Sequence, residues 1–143
     1  MLINHLNSSG LVSLMSEKHR QLRDTIEKMW EEQSDIKISY TEWYIMYKIY
    51  GHKTTISEVK RNVTITRQAT HKNIKSLKEK GLVEVTNSEH SKRDKCVSLT
   101  TLGEHCCIKN EELRLKFEEK VAQTIGQEKL NVLKDILQMD WGI

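Results

Sequence analysis

Proline is absent from this 143-residue sequence, phenylalanine occurs once and cysteine three times. Because no residue has its φ angle locked by a proline ring, long uninterrupted helices are permitted. An odd number of cysteines, two of them adjacent at Cys106 and Cys107, implies no disulfide framework and is typical of a reducing compartment. The sequence also lacks an apolar run long enough to span a membrane and the pattern of a signal peptide. We therefore expect a cytoplasmic protein without a membrane partner.

Charge is unevenly distributed along the chain. Residues 51–100 contain eleven lysines and arginines against five acids, although the formal net charge of the whole chain is only +3. The two flanks are therefore mildly acidic. A basic middle segment between acidic flanks indicates a polyanion-binding surface carried by helices with another role. Solvated surface charge alone also produces such a distribution.

Apolar spacing and capping residues predict two helices in the first third of the chain. From Leu11, apolar residues recur at steps of three and four, which predicts an amphipathic helix ending near Gln33. Ser39 and Glu42 match a capping box, and the following helix is apolar nearly all round as far as Gly51. A helix with that composition belongs in a core.

A helix-turn-helix is predicted next. Thr55 and Glu58 match a second capping box, which starts a short helix through about Asn62. Thr66 then caps a longer helix that stops at Gly81. Two helices joined by so short a turn form a helix-turn-helix.

A β-hairpin and further helices complete the expected fold. After Gly81, the segments Leu-Val-Glu-Val and Cys-Val-Ser-Leu alternate like strands, and a polar, basic loop from Asn87 to Lys95 joins them. Thr101 and Glu104 match a third capping box, and the apolar pattern continues through two more helices to the end of the chain. The predicted fold is mainly α, with a winged helix-turn-helix that has one β-hairpin wing.

The helix after Thr66 has a candidate DNA-binding face. With Ile74 and Leu77 facing inward, five polar side chains fall on the outward side. They are Arg67, Gln68, His71, Lys72 and Lys75. Arg and Gln suit bidentate contacts to guanine and adenine, and Lys suits phosphates. The alternative is an ordinary solvated helix face.

The hairpin tip is a second candidate contact. Lys92, Arg93 and Lys95 lie on the loop, where an arginine can enter a narrow minor groove because that groove concentrates negative potential. A charged loop that only keeps the hairpin soluble is the alternative.

These features together resemble the MarR family of bacterial winged-helix regulators. The resemblance depends on Gly-Leu-Val-Glu-Val after the second helix of the motif, on the Lys-Arg tip, and on Leu99-Thr100-Thr101-Leu102-Gly103 before a long helix. It implies major-groove contacts by Thr66, Arg67, Gln68, His71 and Lys72, and a wing arginine at Arg93. It also implies that the N- and C-terminal helices form a dimerisation region.

The sequence departs from the family pattern at three positions. Ser91 stands where the family usually has an Asp two residues before the wing arginine. Lys60 occupies a site that is commonly small and apolar, and Asn73 one that is commonly aliphatic. None of these changes removes the motif.

A cluster of aromatic residues precedes the helix-turn-helix. The resemblance implies a small aromatic effector between the terminal helices and the DNA-binding part. The candidate pocket residues are Trp30, Trp43, Tyr44 and Tyr47. The alternative is a buried junction between the first two helices.

Metal binding and catalysis have little support in the sequence. Consecutive residues on a helix point about 100° apart, so His105, Cys106 and Cys107 cannot close one tetrahedral site by themselves. A site that adds His5 or His19 stays open. No catalytic triad, paired-carboxylate motif or glycine-rich phosphate loop is recognisable. We expect neither an enzyme nor a cofactor.

The predicted organisation has three parts: an N-terminal dimerisation helix at 1–36, a winged helix-turn-helix at 37–103 and C-terminal dimerisation helices at 104–143. The predicted function is a transcriptional regulator, a repressor that binds a palindromic operator in double-stranded DNA as a homodimer and is released by an effector. Activation fits the sequence equally well. The alternative functions are a winged-helix protein-interaction module without specific DNA binding and a cysteine enzyme.

Overall fold

The computed structural model describes residues 9–88 and 93–143. The helices and strands, in chain order, are α1 (Leu11–Glu31), α2 (Tyr40–Ile49), β1 (Thr54–Thr55), α3 (Ile56–Asn62), α4 (Arg67–Glu79), β2 (Val83–Asn87), β3 (Lys95–Leu99), α5 (Thr101–Ile125) and α6 (Gln127–Gln138). The mainly helical fold with a hairpin wing is confirmed. Among the described residues, no helix combines the length and apolarity needed to cross a membrane.

Side-chain caps start the central helices at the predicted residues. Ser39 and Glu42 form a complete capping box, because each side chain hydrogen-bonds the backbone N–H of the other, at 3.1 and 3.0 Å. Thr55 Oγ1 accepts from the backbone N of Glu58 at 3.1 Å, but the Glu58 carboxylate accepts from Thr54 Oγ1 instead of closing the box. These caps satisfy N–H groups that have no partner within their own helix.

The predicted capping box of Thr101 and Glu104 is wrong by one residue. Thr100 is the N-cap of α5, and its Oγ1 accepts from the backbone N of Gly103 at 3.1 Å. The backbone N of Thr100 donates to the carbonyl of Leu82 at 3.1 Å. That bond holds Thr100 in the extended conformation of an N-cap, so the helix begins at Thr101.

The sheet has three antiparallel strands in the order β1-β3-β2. Strand β3 is central, with Val97 opposite both Val85 and Thr54. The two-residue strand β1 was not predicted, because it is too short to show alternation. It ties the start of α3 to the hairpin, so that the wing and the helix-turn-helix are one unit.

The core lies between α2, α4 and the sheet, and α5 covers one side. Its fully buried large side chains include Ile45, Met46, Leu77, Leu82 and Val97. Helix α2 is buried on most sides, as its uniformly apolar composition predicts. Burial of these side chains is the main favourable contribution to folding.

Gly103 allows a close contact between α5 and the segment that follows α4. A Cβ atom at this position would lie 2.1 Å from the carbonyl oxygen of Leu82. Next to this contact, Thr100 Oγ1 donates to the carbonyl of Gly81 at 2.6 Å. The first turn of α5 therefore packs directly on the backbone that leaves α4.

We predict that Gly103→Ala destabilises the fold. The added methyl group meets a backbone carbonyl that cannot move without displacing β2, so the free energy of unfolding should fall by roughly 1–3 kcal/mol. Urea denaturation measures this change. His105→Ala, an exposed substitution in the same helix, is the control and should change stability by less than about 0.5 kcal/mol. Equal stability of the two variants would contradict the packing described.

Candidate nucleic-acid interface

The outward face of α4 forms a continuous polar surface. Arg67, Gln68, His71, Lys72 and Lys75 are exposed and line one shallow depression, as their helical spacing predicts. The opposite face is buried through Thr70, Ile74 and Leu77. The buried face fixes the rotation of the helix about its own axis, so these five side chains point away from the core.

Lys60 from α3 joins this surface. It lines the same depression as the α4 residues, although the sequence marked it only as a departure from a family pattern. The last turn of α3 lies beside α4 because the turn between the two helices is short. A helical projection of α3 that keeps Val59 inward would have placed Lys60 near this face.

Thr66, just before α4, and Asn73, within it, have local structural roles. Thr66 Oγ1 accepts from the backbone N of Ala69 at 3.0 Å, so this predicted contact residue is the N-cap of the helix. Asn73 stands where an aliphatic residue is common. Its Nδ2 donates to the carbonyl of Ala69 at 2.7 Å, which satisfies the amide within the helix.

The base of the wing is anchored by Asp94. Its Oδ1 accepts from Ser57 Oγ of α3 at 3.0 Å, and its carbonyl accepts from the backbone N of Ser88 at 3.3 Å. Arg93 and Lys95 are exposed beside this anchor. The predicted contact Lys92, and Ser91 at the position of the missing family Asp, lie outside the described residues.

The four aromatic residues predicted to line an effector pocket do not share one cavity. Trp30 is 3% exposed, its Nε1 donates to the carbonyl of Ile36 at 2.8 Å, and its ring meets Trp43 edge-on at 4.9 Å between centroids. These two rings form a buried junction between α1 and α2. Tyr44 lies elsewhere, and an interaction with the Thr64 side chain lowers its pKa.

Tyr47 borders an open depression between α2 and α5. Its hydroxyl accepts from Asn110 Nδ2 at 3.1 Å and donates to Glu111 Oε2 at 3.2 Å. Burial raises the pKa of Tyr47 to about 12, so the phenol stays neutral under ordinary conditions. Its position in this network is structural.

A cavity of about 270 Å³ lies between α1, α2 and α5. Trp43 is the only predicted pocket residue on its wall. The cavity is lined by His19, Leu22, Arg23, Ile26, Glu27, Ile38, Tyr40, Trp43, Asn110 and Arg114. Asn110 is 1% exposed, and its Oδ1 accepts no hydrogen bond from the described part of the chain. A buried acceptor left in this way favours a ligand or water with a donor at that point.

The two adjacent cysteines, Cys106 and Cys107, are buried in an environment that disfavours thiolate chemistry. Burial raises the pKa of Cys106, and it raises the pKa of Cys107 to about 12. Both thiols therefore stay protonated at neutral pH, which disfavours nucleophilic attack. Within residues 9–88 and 93–143, no group of three or more His, Cys, Asp and Glu side chains is placed to hold a metal ion.

The fold and the exposed face of α4 define a winged helix-turn-helix protein. The family model described as "Winged helix DNA-binding domain" matches residues 38–103. Uncharacterized HTH-type transcriptional regulators of Staphylococcus aureus strains Mu50 and N315 are 32% identical over 106 residues, which are 69% of this chain and 73% of each relative.

Solved structures share the whole architecture. A mutant of MarR from E. coli complexed with operator DNA matches with a TM-score of 0.75 and 19% identity, over 90% of this chain and 91% of that one. FabT of Streptococcus pneumoniae in complex with DNA matches with a TM-score of 0.76 and 19% identity, over 89% and 90%. The chain belongs to the HTH-type transcriptional regulators with a winged-helix DNA-binding domain, and it has the fold of MarR and FabT.

The surface predicts two separable kinds of DNA contact. Lys60→Ala, Lys72→Ala and Lys75→Ala should weaken all duplexes about equally and lower the salt slope of binding by about one each. Arg67→Ala and Gln68→Ala should cost roughly 1–3 kcal/mol, mainly on the preferred site. Salt-titrated binding to a preferred and a random duplex measures both effects. Equal losses on the two duplexes for all five variants would refute these roles.

Proposed function

We propose that this regulator represses transcription by binding a palindromic operator as a homodimer. One observation carries the proposal: Lys60 and the five outward side chains of α4 line one open depression, which contains donors for bases and cations for phosphates. A protein that only contacts other proteins has no need for this combination. The proposed DNA-binding part is residues 37–103.

Dimerisation is supported by an apolar groove between α1, α5 and α6. The groove has a volume of about 770 Å³. Its walls include Leu14, Met15, Leu133 and Leu137, each at least 41% exposed. Leu130, also on the groove, is buried by its own chain and stabilises the α5–α6 corner. An open apolar face of this size is typical of a subunit interface.

A second copy is the occupant we propose for this groove. The proposed dimerisation segments, residues 1–36 and 104–143, contain α1, α6 and the part of α5 that borders the groove. In such a two-fold dimer we expect the two copies of α4 to meet half-sites of a palindrome about one helical turn of DNA apart, roughly 34 Å. A dimer seated over a promoter excludes polymerase from it.

An effector is supported by the cavity between α1, α2 and α5. Arg23 and Arg114 supply positive charge, Trp43 supplies an aromatic wall, and Asn110 Oδ1 supplies a buried acceptor. This set suits a small aromatic anion that also has a hydrogen-bond donor. Because the cavity lies where α1 and α5 meet α2, a ligand there can shift the DNA-binding parts relative to the dimer.

The operator experiment is a footprint on the DNA that flanks the protein's own gene. We expect two protected half-sites one helical turn apart and one dimer per site in sedimentation. Leu133→Glu and Leu137→Glu place a charge in the groove, so both should give monomers. Their affinity for the paired site should fall by more than about 100-fold, because avidity is lost.

Asn131→Glu is the matched control, since it adds the same charge on an exposed face of α6 outside the groove. It should stay dimeric and bind like the parent. A parent protein that remains monomeric at high micromolar concentration would contradict the dimer. A parent without salt-dependent DNA binding would favour the protein-interaction alternative.

The effector proposal predicts binding of 4-hydroxybenzoate, which has a ring, a carboxylate and a phenolic donor. It should quench the fluorescence of Trp43 and release the operator. Arg23→Ala should weaken quenching by roughly tenfold or more, because a charge-assisted bond is lost. Arg20→Ala, on the same helix but outside the cavity, is the control. No quenching, or equal effects of the two variants, would count against this site.

A further inference from the structure

Glu42 is a buried acidic side chain that pairs with a lysine at the end of α4. It is only 3% exposed, at the first turn of α2. Its carboxylate accepts from Lys80 Nζ at 2.7 and 2.9 Å, from Ser76 Oγ at 3.1 Å and from the backbone N of Ser39 at 3.0 Å. Two of these donors, Ser76 and Lys80, lie at the C-terminal end of α4. The carboxylate therefore joins α2 to α4.

Burial raises the pKa of Glu42, but the hydrogen bonds from Lys80 and Ser39 and the charge of Lys80 outweigh it, so the net shift is downward. The carboxylate consequently stays ionised at neutral pH. An ionised carboxylate with four hydrogen bonds is held in one position, because losing any partner leaves a buried charge less compensated.

Lys80 has its hydrogen-bonding capacity filled within the protein. A lysine ammonium has three N–H donors. Besides the two Glu42 oxygens, Lys80 Nζ donates to the carbonyl of Lys37 at 2.7 Å. The three acceptors account for the three donors. Although Lys80 belongs to the basic segment of residues 51–100, no donor remains directed toward a phosphate.

The Lys37 carbonyl connects this pair to the dimerisation helix. Residue 37 lies in the short connection between α1 and α2. The preceding residue, Ile36, accepts a hydrogen bond from Trp30 at the end of α1. Lys80 thus fastens the end of α4 both to the first turn of α2 and to the segment that follows α1.

We propose that Glu42 and Lys80 are positioning residues that set the angle of α4 on the DNA, and that Lys80 acts on DNA binding through Glu42 rather than through a phosphate. The inference rests on the DNA-binding role proposed for α4, and it names residues outside the contact surface. A recognition helix whose buried face is Thr70, Ile74 and Leu77, and whose end is held by this pair, presents its side chains in a fixed register to base edges.

The direction in which one substitution changes DNA affinity distinguishes a positioning role from a simple electrostatic effect. Glu42→Gln removes a negative charge, so a purely electrostatic effect would tighten DNA binding. Positioning predicts the opposite, a loss of roughly 2- to 30-fold on the preferred duplex and a smaller loss on random DNA. Glutamine at this position still completes a capping box with Ser39, so α2 should fold normally.

The test compares Glu42→Gln, Lys80→Ala, the double variant and Ser76→Ala in salt-titrated binding to a preferred and a random duplex. We expect Lys80→Ala to weaken the preferred duplex without changing the salt slope. The double variant should lose no more affinity than whichever single variant binds less tightly, because each single substitution already breaks the same pair. Ser76→Ala, which changes no charge, should cause a smaller loss in the same direction.

Lys78→Ala is the matched control, since it removes an exposed lysine from the same turn of α4. It should retain the parental preference between the two duplexes. Thermal unfolding of each variant verifies that it is folded.

A fall of about one in the salt slope of Lys80→Ala would assign Lys80 to a phosphate and overturn the inference. Tighter binding by Glu42→Gln, or additive losses in the double variant, would also overturn it. A parent that binds no duplex would refute the proposed function as well, whereas a binding parent with unaffected variants would refute only the positioning role.

Discussion

The backbone carbonyl groups of Gly81 and Leu82, directly after α4, accept the hydrogen bonds that position the start of α5. Thr100 donates to the carbonyls of Gly81 and Leu82, and Gly103 lets the α5 backbone approach to the point where a methyl group would not fit. This region of contact therefore fixes the end of α4, the start of the wing and the start of α5. The Leu-Thr-x-x-Gly segment is explained by this contact, since each of its polar and small residues has a bond or a close approach there.

The orientation of α4 depends on its buried side, and this orientation decides which side chains are exposed. Thr70, Ile74 and Leu77 set its rotation, and the Glu42–Lys80 pair holds its end. Base recognition requires side chains to be preorganised, because ordering them on the DNA costs conformational entropy. The wing follows the same rule, since Asp94 ties its base to α3.

Local signals made much of the fold predictable. Caps at Ser39, Thr55 and Thr66 and a stop at Gly81 depend on neighbouring residues, and they mark the helix-turn-helix in the sequence. The N-cap at Thr100 was misplaced because its choice over Thr101 depends on the carbonyl of Leu82, eighteen residues earlier. Strand β1 likewise exists only through its pairing with β3.

In the candidate site, too, local patterns were predictable from the sequence and contacts between distant residues were not. The outward residues of α4 follow from helical periodicity, whereas the place of Lys60 depends on how α3 packs. The aromatic cluster in the sequence predicted roughly where the cavity lies but not which residues line it. Composition does not say which rings pack on each other. The ion pair of Glu42 and Lys80 spans 38 residues, and no periodic pattern links the two.

Helix α5 contacts the DNA-binding part at one end and borders the apolar groove at the other. Its 25 residues extend about 37 Å without a break, since the chain contains no proline. Such a rod acts as a lever arm: a rotation of about 5° at the groove moves its far end by about 3 Å. The spacing of successive major grooves is fixed by the DNA, so in the proposed dimer a small angular change between subunits is enough to put both copies of α4 out of phase with the duplex.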